Sequence, residues 1–189
     1  MHEIEPYYSW RKYYIASEDP RSPFFGRVYS EFEFTNTVYN YYIHPQWDEF
    51  GSETLYLKIL YVDYQKGFTI IELLGEWNDT LYNDIMYLKR EVVDHLIKNG
   101  IDKFILIGEN ILNFHSSDDS YYEDWFSDIE NGWIFTINFQ NHVLEEFKNV
   151  GVDNYFMFVP DNKINWRKYK PIKIYEIIQN SFFNRISNY

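Results

Sequence analysis

The sequence predicts an α/β fold: a mixed, mostly parallel sheet in βαβαβαβ order over residues 68–159, with antiparallel N-terminal hairpin strands and a C-terminal helix. Three observations predict it. Phe104-Ile105-Leu106-Ile107 is an unbroken apolar run, the pattern of a strand buried on both faces of a parallel sheet. Apolar residues at helical spacing flank that run, with Leu81, Ile85, Leu88, Val92 and Leu96 before it and Tyr122, Trp125, Phe126 and Ile129 after it. Upstream, the strand-like run 55–62 turns through Gln65-Lys66-Gly67 into the run 68–74, which reads as a hairpin.

Each element has its local reason. Glu31-Phe32-Glu33-Phe34 alternates with period two, as a half-buried strand does, and Thr37 to Ile43 is β-branched and aromatic up to Pro45. The character changes at Gly75, where Asn78, Asp79 and Thr80 offer caps for a helix over 80–99, and Gly100 offers its C-terminal glycine. Ser116 or Ser117 caps a second helix over 118–130. Trp133 to Phe139 is a strand, Asn141 caps a short helix closed by Gly151, and Tyr155 to Val159 is the last strand. Pro171 starts a terminal helix bearing Ile174, Ile177, Ile178, Phe182 and Ile186. The chain thus divides into an aromatic extension with hairpin strands (1–54), an α/β domain (55–160) and a basic helical segment packed on it (161–189).

Composition bounds the function. At 189 residues and 46% hydrophobic content, the chain has ample material for a packed core. Its 19 Tyr, 16 Phe and 6 Trp give large rigid side chains for the core, and some Tyr and Trp for a contact face. With no cysteine, disulfides, thiolate metal sites and a cysteine nucleophile are excluded. Met1 to Pro6 lacks a signal-peptide pattern, and no stretch approaches the ~18 apolar residues of a membrane span, so a cytoplasmic protein is expected. The net charge of −12 argues against nucleic acid as a partner. The charge is polarised: Lys163, Arg167, Lys168, Lys170, Lys173 and Arg185 face only Glu176 in the last 28 residues, so the first 161 carry −17. The plain reading folds this tail onto its own acidic body; the sharper one reserves a surface for a partner.

Four segments form one pattern: Phe68 to Gly75 followed by Glu76-Trp77-Asn78-Asp79, Lys103 to Phe114, His115-Ser116-Ser117-Asp118, and Asn149 to Phe156. Together they resemble, over residues 55–159, the STAS domain of anti-sigma-factor antagonists: the first resembles that family's strand and first helix start, the second its central strand, and the fourth its closing segment, while the third stands where the family has Asp-Ser-Ser-Gly. The resemblance implies a protein-binding switch with a phosphorylated serine, for which Ser117 is the matching position. This sequence departs from the pattern: His115 replaces the Asp, Asp118 replaces the Gly, and Asp119, Glu123, Asp124 and Asp128 would repel a phosphate. The alternative is that Ser116 and Ser117 only cap a helix.

Candidate chemistry is sparse. His115, Asp118, Asp119 and Glu123 have ligand types for Mn²⁺ or Mg²⁺, yet acidic residues in a first helical turn are ordinary, and no metal is assigned. No phosphate loop, dinucleotide fingerprint or nucleophile elbow is present, so no catalytic residue and no cofactor are assigned. The leading expectation is a non-enzymatic regulatory or protein-interaction domain. Its acidic aromatic surface would comprise Trp77, His115, Asp118, Asp119, Tyr121, Tyr122 and Glu123, facing a partner protein of basic character. The alternatives are a small enzyme or ligand-binding protein with a polar pocket at the strand C-terminal ends, and a structural subunit held through the aromatic N-terminal segment.

Overall fold

The computed structural model describes residues 4–158 and 163–186, with side chains described through Ser181. Five strands form one sheet in the order β3-β4-β5-β6-β7: β3 (Leu55–Asp63), β4 (Phe68–Asn78), β5 (Lys103–His115), β6 (Trp133–Ile137) and β7 (Phe156–Phe158). β3 pairs antiparallel with β4 as the hairpin reading expected, and all later pairs are parallel. β5 is central, and Phe104 to Ile107 have no exposure, as their unbroken apolar run required. Val159, which the sequence placed at the end of the last strand, lies outside the described residues.

The odd and even residues of these strands serve two cores. On one face Leu57, Leu73, Phe104, Leu106 and Ile134 pack against the helices that connect the strands. On the other, Phe68, Ile70, Ile105, Ile107 and Phe135 are covered by Trp10 of the N-terminal segment and by α6 (Pro171–Ile186). α6 docks through Ile174, Tyr175 and Ile178, and the Tyr175 ring stacks on Phe68 with centroids 4.2 Å apart. Phe182 and Ile186, expected on the same stripe, lie outside the described side chains. Of the tail cations expected against carboxylates, Arg167 pairs with Glu109 and Glu72, whereas no body carboxylate pairs with Lys163, Lys168 or Lys170 among the described residues.

Several expectations are corrected. Residues 31–34 form bends, with Phe32 87% exposed: they pair with no strand, so the alternation has no sheet to bury against. Thr37 to Ile43 is a minimal hairpin of its own, β1 (Thr37–Val38) against β2 (Tyr41–Tyr42), outside the main sheet. β4 continues through Gly75 to Asn78. A Cβ at Gly75, whose φ is +116°, would lie 2.1 Å from the Thr54 carbonyl oxygen, so this glycine permits close strand approach and does not end the strand.

The helix expected over 80–99 is also broken. α1 (Asp79–Tyr82) stops at Asn83, whose φ of 53° is left-handed, and α2 (Asp84–Tyr87) follows. A π-helical stretch, Leu88–Val93, then leads into α3 (Asp94–Lys98). This stretch buries Leu88, Lys89, Val92 and Val93. Gly100 ends the segment as expected: its N–H bonds the Ile97 carbonyl while that of Ile101 bonds Leu96. α4 (Ser120–Asp128) buries Tyr122 and Trp125, and Ile129 just after it is buried too, but Phe126 is exposed. α5 (Asn141–Val150) starts at Asn141 with no side-chain cap and ends at Gly151.

Candidate functional site

The C-terminal ends of β4 and β5 are irregular in a way that shapes a groove. β5 gains one residue over β4 twice, between Ile107 and Asn110 and between Ile111 and Phe114. Bulges of this kind bend a strand and re-aim its side chains. β5 thereby runs on past the end of β6, and α5 covers the freed edge: His142 Nε2 lies 2.7 Å from the Leu112 carbonyl and Gln140 Nε2 donates to that of Ile111. The last residues of both strands, Asn78 and His115, are register partners.

Above these ends lies an open groove of about 720 Å³, lined among others by Tyr39, Glu53, Glu76, Leu81, Tyr82 and His115. The hairpin β1–β2 forms one wall, and α1 forms another. Tyr39 sits in the hairpin turn with a φ of 53°, a left-handed conformation that costs a tyrosine roughly 1–2 kcal/mol. Its hydroxyl donates to Glu76 Oε2, and Glu76 Oε1 lies 3.3 Å from His115 Nε2. Glu76 is nearly buried while the His115 side chain is half exposed. A tyrosine, a carboxylate and an imidazole thus converge on the groove floor. The lining contains two carboxylates and no lysine or arginine.

Beneath the floor, two carboxylates hold the backbone in place. Asp84 accepts from the Ser52 hydroxyl at 2.6 Å, the Asn78 N–H at 2.7 Å and the Thr54 hydroxyl at 3.0 Å, which ties the loop before β3 to the end of β4. Asp79 accepts from Trp77 Nε1, the Ile85 N–H and, at 2.6 Å, the Tyr122 hydroxyl. Burial pushes the Asp79 carboxyl up to about 6, against the pull of these donors. Asn78 caps α1 by accepting the Leu81 N–H at 3.0 Å.

The residues assigned from sequence to one surface separate in space. Trp77 and Tyr122 have no exposure: Trp77 packs edge-on to Phe114 and Phe147, and the Tyr122 hydroxyl is consumed by Asp79. Both are core residues, which corrects the surface reading. His115 lines the groove. Ser117 and Asp118 are exposed in the loop before α4. Neither serine caps the helix: Ser116 Oγ donates to the Asp118 carbonyl, and Asp119 takes the cap position. Asp118 Oδ1 accepts from the Ser120 hydroxyl at 2.7 Å and its N–H at 3.1 Å, and these bonds hold its carboxyl below the usual range. Asp119 accepts from the Tyr155 hydroxyl, Tyr121 is half-buried beside Arg90, and Glu123 is exposed. No group of three or more His, Asp or Glu side chains suited to a metal ion occurs among the described residues.

Tyr39, Glu53, Glu76 and Tyr82 escaped the sequence reading. The available signal was modest: an acidic residue following Gly75 in a strand, and a Tyr39-Asn40 pair in a short hairpin. No helix among the described residues is long and apolar enough to cross a membrane.

No family model matches this chain, and no curated protein matches it. Among solved structures, the chain is similar to the anti-sigma factor antagonist SpoIIAA in its unphosphorylated form, at 14% identity and a TM-score of 0.42, over 56% of this chain and 89% of that one. It is also similar to the Bacillus cell fate determinant SpoIIAA in its phosphorylated form, at 13% identity and a TM-score of 0.36, over 56% of this chain and 92% of that one.

Proposed function

We propose that this chain is a protein-interaction domain whose acidic, aromatic groove at the strand C-terminal ends takes a basic segment of a partner protein. The carrying observation is the groove lining itself: Glu53 and Glu76 with no lysine or arginine, beside exposed Tyr39, Leu81 and Tyr82. Carboxylates supply charge complementarity to lysine and arginine, while the aromatic rings accept the apolar stems of those side chains or stack on guanidinium planes. The loop leaving His115 adds Asp118 and Asp119 to the same negative field. The proposed surface differs from the one read in the sequence, since Trp77 and Tyr122 leave it and the hairpin joins it.

The test is fluorescence anisotropy with two labelled peptides, one interspersing Lys, Arg and aromatic residues and one with every basic residue replaced by Glu. The basic peptide binds, salt weakens it, and Tyr39→Ala weakens it about tenfold. Equal binding of both peptides, or of neither, defeats the proposal.

A small enzyme is the second reading, and the His115–Glu76 contact favours it, because a carboxylate orients an imidazole for proton transfer. In that case the protein turns over a small substrate and His115→Ala abolishes that turnover.

A further inference from the structure

A second cavity, separate from the groove, lies between the N-terminal segment and edge strand β3. Its volume is about 160 Å³. The walls are mainly apolar or aromatic, from Pro6, Tyr14, Ile15, Ala16, Ile59 and Leu60, while Arg11, Gln46 and Lys58 supply polar groups. Two cations and no carboxylate line it, in a chain with 29 Asp and Glu against 17 Lys and Arg.

The donor inventory shows what remains for a ligand. Lys58 Nζ lies 2.9 Å from Asp48 Oδ2 and 3.8 Å from the centroid of the Tyr29 ring. Asp48 is fully buried and also takes Arg27 Nη1 at 3.3 Å and the Tyr29 hydroxyl. The Tyr14 hydroxyl is committed to Asp19. Arg11 gives one N–H to Gln46 Oε1 at 2.6 Å, and no carboxylate pairs with it among the described residues. A guanidinium has five N–H donors and an ammonium three, so both keep capacity for an acceptor inside the cavity. Burial pulls Lys58 below its ordinary range, opposed by Asp48 and reinforced by the like charges of Arg11 and Arg27. Buried Asp48 thus pairs with two cations, Lys58 and Arg27, while Arg11 adds a third positive charge near Lys58 with no carboxylate of its own among the described residues, and an added anion would relieve that repulsion.

We propose that this cavity binds a small monocarboxylate with an apolar body, its carboxylate held by Arg11 and Lys58 and its body against Ile15, Ala16, Ile59 and Leu60. The volume suits this class: a cavity of about 150 Å³ accommodates benzene. The apolar wall suits a hydrocarbon body better than a fully hydrated inorganic anion, and an Arg fork matches a carboxylate's two oxygens.

Calorimetric titration of the intact protein with benzoate, benzamide and inorganic phosphate tests the assignment. Benzoate binds saturably at one site, benzamide binds at least about tenfold more weakly, and Arg11→Gln loses about tenfold in benzoate affinity, as expected for removing a charge-assisted bond. Arg11 is exposed, so its replacement spares the core; Lys58→Met is the less clean variant because it removes one partner of buried Asp48. Absence of saturable benzoate binding at millimolar concentration overturns the proposal. So do equal affinities for benzoate and benzamide, binding of phosphate without benzoate, or an Arg11→Gln protein that binds benzoate as well as the parent.

Discussion

Glu72 Oε2 accepts the backbone N–H of Tyr7 at 2.9 Å, so a carboxylate on the central part of the sheet fastens a segment 65 residues upstream. Glu72 is fully buried, and Arg167 reaches its other oxygen at 3.5 Å while pairing more closely with Glu109. The N-terminal segment and the stretch before α6 thus meet over one acidic side chain on β4. Tyr7, Trp10 and Trp166 pack edge-to-face around the same place, which puts these aromatic residues inside the protein's own core.

Burial pushes the Glu72 carboxyl up to about 7, with the Tyr7 N–H and Arg167 pulling the other way. A carboxyl that holds its proton more tightly folded than unfolded favours the folded state at low pH. Its contribution is present below the unfolded value of 4.5 and declines as pH rises toward about 7. Asp79, raised to about 6, has the same sign over a narrower window. Chemical denaturation at pH 5.5 and 7.5 should show the protein more stable at the lower pH, by about 1–3 kcal/mol. Glu72→Gln should flatten this dependence. An unchanged slope in that variant would show that Glu72 titrates normally.

Lys89 is a buried cation in the π-helical stretch, and three carboxylates answer it: Asp94 at 2.5 Å, Asp128 at 2.6 Å and Asp124 at 3.4 Å. Although burial disfavours its charge, Asp128 and Asp94 hold the ammonium above its ordinary range. The contact ties α4 to the helical segment that precedes β5. Lys89→Met should cost about 1–3 kcal/mol by urea denaturation, less than a fully buried ion pair because the carboxylates keep partial solvent contact. A cost below about 0.5 kcal/mol would show that the apolar stem alone supplies the packing.

Deleting residues 162–189 removes Trp166, Ile174, Tyr175 and Ile178, all buried, and uncovers Phe68, Ile70, Ile105 and Ile107. Each large side chain contributes about 1.5–3 kcal/mol by burial, against about 0–1 kcal/mol for a half-exposed pair such as Arg167 with Glu109. The truncated protein should therefore melt at a lower temperature and bind a hydrophobic dye, and added salt should reproduce neither effect. Full thermal stability after truncation would mark the segment as a free basic arm.

Ser117 is exposed and two residues beyond His115, within about 7 Å along an extended chain. That is inside the Debye length of about 8 Å at physiological salt. A negative charge there joins the groove's own field. Ser117→Glu should strengthen binding of the basic peptide a few-fold at low salt and have little effect at high salt. A weaker complex would place the bound peptide elsewhere.

The sequence by itself determined the strands that are apolar without interruption and the helices whose stripe has one clean period. Phe104 to Ile107 needed cover on both faces, and Ile174 and Ile178 needed a surface to dock on, whatever the rest of the chain did. Gly100 and Gly151 ended their helices because a left-handed residue after a helix favours glycine. Only the tertiary structure decided where the groove lies. Tyr39, Glu76 and His115 are far apart in sequence, and they meet because two extra residues in β5 re-aim the strand ends beneath a hairpin that pairs with neither. The exposure of an aromatic residue was equally illegible. Trp77 and Tyr122 have polar handles that suit a surface, but Asp79 satisfies both inside the core, whereas Phe32 and Leu81 have none and remain outside. A side chain's type fixes what burial is worth, but neighbours distant in sequence decide whether burial is offered.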